Sequence, residues 1–356
     1  MQASGTKTPK IRSVSKFRIA VSVGVLILVT IGWSALWFIA ARKTQDFLDL
    51  WMKQEAQAGR IWTCPERDLG GFPFEIMISC ANPHFEGEVY GKVLTGTLQG
   101  FRAASSIFRP AQVRAQMDSP FTARTSDATF DFTVNWAQLN LVLEGQPHAL
   151  LNASITADEL GLQGDVEGLG AIGGRVAKAK AQAAAAPDRQ DHAYDFGLRL
   201  EGAEHPALEA VLGSSIPVDV GLAGTLTQAS YNGRGEPAAL IEDWRAAGGR
   251  IDLSTVQLTQ AQTKFDAKGN LGLDAAHRVE GRLDAQFSGF EPALRRLGVN
   301  PALVNAGALL NGLLGKKPPG AVAADAPQPL RLPLTLANGW LSIGPVRTPI
   351  ALPPLY

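Results

Sequence analysis

Cys64 and Cys80 are the two cysteines of this 356-residue chain, and they pose the first question of chemistry. In an exported, oxidising compartment an even pair of thiols close in sequence most simply forms one disulfide. Closing a loop of about 15 residues this way is worth roughly 3 kcal/mol in the chain-entropy account. Other uses fit less well. A zinc site on Cys64, Cys80 and His84 lacks a fourth ligand and the usual paired spacing. A catalytic redox couple would want the C-x-x-C spacing, which is missing.

The remaining motifs are weaker. Residues 168–173 match the dinucleotide fingerprint GxGxxG, which needs a buried parallel strand before it and a helix after it. Glycines and charges break the preceding residues, so a glycine-rich turn is expected. Residues 312–317 hold GLLGKK, with the wrong glycine spacing for a phosphate-cradling loop. His84, His148, His192, His205 and His277 are scattered without an HExxH pattern, and no GxSxG is present. Ser214 and Ser215 read as a helix-to-strand turn. Asp252, Asp274 and Asp284 fall on polar positions of candidate strands, where solvation accounts for them. No catalytic residues, no metal and no cofactor are expected, and the chain reads as a non-enzyme.

The elements that must hold these side chains are written in the hydropathy pattern. Hydrophobic residues make up 46% of the chain and charged residues 19%, so a core can form. Gly 37 and Pro 22 favour many turns over long helices, which points to a β-dominated body. Period-two ladders recur: Phe130, Phe132, Val134 and Trp136, then Leu139, Leu141 and Leu143 in the opposite phase, with a bulge or turn near Ala137. Further ladders contain Leu151 and Ile155; Phe196 and Leu198; Val218, Val220 and Leu222; Leu283 and Phe287. Short helices are expected over residues 206–212, 237–247 and 292–297, each with a leading proline and a glycine stop, and a longer one over 301–314. Residues 44–58 read as an amphipathic helix ending at Gly59, and 177–193 as an exposed alanine-rich insertion. Residues 269–274 read as a turn. In the terminal segment Pro333 suggests an edge strand, and Asn338-Gly339 a hairpin.

Residues 1–18 form a basic tail with five cations and no acid, followed by an uncharged run over 19–41. Its 23 residues span about 34 Å as a helix, enough to cross a hydrocarbon core. A cleaved signal peptide would have a shorter apolar stretch, of about 7 to 15 residues, so an uncleaved anchor is the expectation. The cation bias keeps the tail in the cytoplasm and exports the rest, while Trp33, Trp37 and Phe38 suit the far interface. The expected layout is therefore a tail (1–18), a transmembrane anchor (19–41), a periplasmic β-rich domain (44–315), a linker (316–329) and a C-terminal hairpin (330–356) completing the sheet. The chain beyond the tail holds 28 cations against 33 acids, which speaks against a nucleic-acid partner.

Trp62-Thr63-Cys64, Gly71-Phe72-Pro73-Phe74-Glu75-Ile76 and Cys80 together resemble the opening signature of the bacterial envelope family known as domain of unknown function 2125. Residues 244–253, 269–274, 339–345 and 353–355 resemble its second half. The resemblance implies an AsmA-like protein: one inner-membrane anchor, an elongated curved antiparallel sheet in the periplasm, and a role in lipid handling or envelope maintenance. It carries over no catalytic residues. Phe74, Ile76, Phe132, Val134, Val220, Leu222 and Leu283 are the candidate lipid-facing side chains, because they lie on the apolar sides of half-apolar strands. The same sides closed on one another would make the dry core of a scaffold, and the two arrangements read alike in sequence. Expected partners are the inner membrane, phospholipid or another envelope lipid, and an envelope protein.

Overall fold

Alternating residues dictate strands, and strands form nearly the whole body. The structure is a computed structural model that describes residues 16–89, 92–146, 149–166, 170–186, 188–229, 237–290, 295 and 329–356. The apolar run and the amphipathic stretch that continues it form one helix, α1 (Lys16–Gln57). With β-branched and charged residues but no proline or interior glycine pair to stop it, helical geometry propagates to Gly59, whose φ of 77° ends it.

Three pairs of strands are single ribbons interrupted by a kink. These are β1 (Arg60–Thr63) with β2 (Glu66–Gly70), β3 (Glu75–Ala81) with β4 (His84–Val89), and β7 (Phe130–Asn135) with β8 (Gln138–Gln146). The first two kinks fall at Cys64-Pro65 and Asn82-Pro83, where proline withholds a ladder donor. The ribbon β3/β4 pairs with β1/β2 and with β5 (Lys92–Ser106). β6 (Arg109–Thr125) joins β5 to β7/β8, which pairs in turn with β9 (Ala149–Val166). From there each strand pairs with its successor: β10 (Gly170–Ala185), β11 (Tyr194–Glu204), β12 (Val218–Leu226), β13 (Ile251–Gln260) and β14 (Thr263–Leu273). β15 (Val279–Ser288), β16 (Leu330–Ala337), β17 (Trp340–Ile343) and β18 (Val346–Ala351) complete the series. Every pairing among these strands is antiparallel.

Helix α2 (Pro206–Leu212) has the expected bounds: His205 Nδ1 accepts from the Ala207 amide, and Gly213 closes the helix at φ 74°. Helix α3 (Pro237–Ala246) carries Trp244, whose indole donates to the Thr227 carbonyl at 2.7 Å. Residues 292–297 apart from Arg295, which is helical, and residues 301–314, all expected as helices, lie outside the described residues, as do nearly all of 316–329.

Four expectations are corrected. Residues 177–193 do not interrupt the ladders, because β10 runs to Ala185 with partners on both sides. Ala179, Ala181 and Ala183 alternate with Lys178, Lys180 and Gln182, and small side chains suffice for the apolar face of a paired strand. Residues 269–273 lie within β14; the turn follows, where Asp274 accepts from the Ala276 and Arg278 amides. Gly170 to Gly173, within the fingerprint-like stretch, are strand rather than turn. Pro333 sits between two strands, yet β17 ends at Ile343 opposite Leu334, so its missing N–H falls where that ladder has stopped. Asn338 (φ 53°) and Gly339 (φ 77°) make the expected hairpin turn.

Candidate functional site

The registers place one apolar row across successive strands. It passes from Ile78 through Ala103, Ala115, Leu141, Ile155 and Ala181. It continues through Leu198, Leu222, Val256, Ala267 and Ala285 to Leu332. One residue along each strand the row is polar: Ser79, Arg102, Gln116, Asn140, Thr156, Lys180 and Arg199. Side chains on a strand alternate in direction, so the sheet has one apolar face and one polar face across these strands.

The apolar positions change phase along the long strands: Leu160 and Leu162 against Ile155 and Ala157, Val176 against Ala179 and Ala181. Irregularities occur at the same level, namely the β7/β8 break at Trp136-Ala137, Glu159 at φ 53° and Gly202 at φ 64°. An extra or kinked residue resets the alternation, which lets an apolar row persist on one side of a bent strand.

Cover along the face is uneven. Leu253, Leu283 (8% exposed), Ala285, Phe287, Leu332, Leu334 and Ile343 form the buried cluster of the C-terminal strands, with Leu222 packed against it. In the N-terminal half Ile155 of the same row is 38% exposed. Ile76, Phe132, Val134 and Val220 are half-buried, and Phe74 is exposed beside α1. The seven candidates are thus not one cluster. Leu222 and Leu283 belong with the packed half, Val134 is in register with Phe121 and Leu162 while Phe132, in register with Ala123 and Gly164, packs its ring on Phe121, and Phe74 stands at the sheet's junction with the helix.

That junction is the part pattern reading did not assemble. Trp33 Nε1 donates to the Pro73 carbonyl at 2.9 Å, and Trp37 Nε1 to the Glu75 carbonyl at 2.8 Å. The Ile107 amide donates to the Phe74 carbonyl at 3.0 Å, which ties the β5–β6 turn to the same loop. Gly71, at φ 97°, is required here, since a Cβ would lie 2.6 Å from the Glu75 oxygen. Around these bonds gather Trp33, Trp37, Phe38, Phe72, Phe74 and Phe108. Farther along α1, Trp51 packs on Trp62 and Trp62 on Phe85, Arg67 pairs with Asp49, and Arg60 chelates Glu55. Cys64 and Cys80 form the expected disulfide, joining the β1/β2 kink to β3. The available signal was the spacing of Trp33 and Trp37, one helical turn apart on one side of α1.

Electrostatics adds ties between elements. Where carboxylate pKa values move among the described residues, they move down. Hydrogen bonds from Lys92 and Thr129 hold Asp127 low, and Arg278 does so for Asp274. Glu242 falls to about 2 through Arg245 and the Tyr356 hydroxyl. Such groups stay ionised near neutrality and act as ion-pair partners. No three His, Cys, Asp or Glu side chains among the described residues are grouped to share a metal ion.

The family model described as an uncharacterized protein conserved in bacteria, domain of unknown function 2125, matches residues 37–351. No curated protein and no solved structure matches the chain.

Proposed function

We propose that this chain, which belongs to the bacterial family known as domain of unknown function 2125, is a membrane-anchored envelope protein that binds lipid along the apolar face of its sheet. The observation that carries the reading is the apolar row from Ile78 to Leu332, covered at its C-terminal end but open at Ile155. Acyl chains covering such surface gain about 25 cal/mol per Å² removed from water. α1 has a mean hydropathy of 2.2 over its apolar window and leaves Leu26, Leu28 and Val29 more than 60% exposed, as a membrane span requires. Cations precede the apolar run, which supports a cytoplasmic N-terminus and a periplasmic body at the inner membrane. The disulfide supports the same side. One anchor followed by a long antiparallel sheet is also the plan of the AsmA-like envelope proteins, which supports placing the chain with them. The role is non-catalytic: lipid retention or transfer, with an envelope protein as partner. The closed C-terminal cluster favours a second reading, a scaffold whose apolar face serves only as core.

A photoactivatable phospholipid in membranes holding the full chain separates the two. Lipid binding places cross-links on β8 to β10 as well as on α1. Ile155→Asp, at a position open to solvent, should remove the sheet cross-links, keep those on α1 and leave the fold intact. Cross-links confined to α1 in the unaltered protein would favour the scaffold.

A further inference from the structure

The 71–75 loop and the β5–β6 turn lie alongside the apolar stretch of α1, not past its end. Phe108 stacks on Trp33 at a centroid separation of 5.8 Å, and Trp33 precedes Ala41, the end of the uncharged run, by eight residues, or about 12 Å of helix. Phe72 meets Trp37 edge-on at 5.5 Å, about 6 Å before Ala41. If α1 crosses a bilayer, both turns reach the depth of its outer leaflet. Their rings are bare: Phe72 is 52%, Phe74 56% and Phe108 68% exposed. Three apolar rings at the tips of two turns lose solvation free energy in water and gain it in an acyl layer, where aromatic rings settle near the interface.

Charge sets the limit of immersion. Arg109 follows Phe108, and Arg114 pairs with Glu75 at 3.5 Å; such groups stay with headgroups while their stems cross the boundary. The tips therefore dip and the strands do not. Nor can the tips swing away freely, because the Trp33, Trp37 and Ile107 hydrogen bonds bind helix, loop and turn to one another.

We infer that the Phe72–Phe74 loop and the Phe108 turn insert into the periplasmic leaflet beside α1, with the acyl chains of that leaflet as their occupant. The inference rests on α1 being a membrane span and on the proposed lipid role. It adds a place of entry. Ile76 and Ile78, two and four residues beyond Phe74, begin the apolar side of β3, so lipid would pass from the bilayer onto the sheet without crossing water.

Nitroxide labels on Phe72→Cys, Phe108→Cys, Leu28→Cys and Thr97→Cys, one at a time, test it in the full chain, with the native disulfide left oxidised. The protein is placed in nanodiscs of phosphatidylethanolamine and phosphatidylglycerol, and collision with oxygen is compared with collision with chelated nickel. Labels at 72 and 108 should prefer oxygen, at a shallower depth than label 28, while label 97 prefers nickel. Nickel access at 72 and 108 with label 28 protected would overturn the insertion while leaving the span intact. Nickel access at 28 as well would remove the span and the inference together. Phe72→Asp combined with Phe108→Asp should also reduce phospholipid cross-links on β8 to β10; undiminished cross-links would refute the entry route.

Discussion

The indole of Trp37 donates to the main-chain carbonyl of Glu75 at 2.8 Å, and Trp37 is 5% exposed. This bond fastens a helix to the first turn of a sheet from 38 residues away. Trp37→Phe keeps most of the ring and leaves the carbonyl unpaired, a loss of about 1 to 3 kcal/mol. Trp37→Ala should cost about 3 to 5 kcal/mol. Hydrogen exchange reads the local effect: the amides of Glu75 and Ile107 should exchange faster in Trp37→Phe, and unchanged rates would show that the loop stands without α1.

The Cys64–Cys80 bond holds the kink between β1 and β2 against β3, with Cys80 3% exposed. Cys80→Ser should lower stability by about 2 to 5 kcal/mol. The unaltered protein in reductant should lose a similar amount. Intact-mass detection of two alkylatable thiols without reduction would contradict the bond.

Gly249 lies under the Trp244 ring so closely that a Cβ would overlap Nε1 and Cε2 of the indole. The ring is held in place by its bond to Thr227, so it cannot yield cheaply. Gly249→Ala should destabilise by about 1 to 3 kcal/mol, as overpacking does, measured by denaturant midpoint. Gly248→Ala meets no atom within 4 Å, but its φ of 75° leaves a smaller cost of backbone strain, about 1 kcal/mol.

Tyr356 stacks on His277 and donates its hydroxyl to Glu242, which also pairs with Arg245. These bonds lower the folded-state pKa of Glu242 to about 2 from an ordinary value of 4.5. The stabilisation is therefore complete above pH 4.5 and declines as pH falls toward 2. Melting temperatures taken across that window should fall less steeply for Glu242→Gln than for the unaltered chain. Parallel curves would show that the cluster contributes nothing to acid sensitivity.

Local features were legible because their causes are local. Asn338-Gly339 demands a turn, proline and glycine frame α2, two close cysteines join, and an uncharged run of 23 residues makes an apolar helix. Residues 177–185 were not legible, since alanine-rich composition resembles an insertion until β9 and β11 are seen to flank them. The phase changes at Ala137 and Glu159 could be noticed singly. Their agreement across strands depends on register, which sequence does not print.

Strands with one apolar side after an apolar N-terminal helix follow from the order of residues, because period and length are properties of neighbouring residues. The tertiary structure alone decided which sides join into one row, which half of that row is covered, and that Trp33 and Trp37 hold a loop 40 and 38 residues away. It also brought Tyr356 to Glu242 across 114 residues. Such contacts depend on how antiparallel strands align and on where proline, glycine and bulges bend them, and many alignments satisfy the same alternation until the whole sheet selects one.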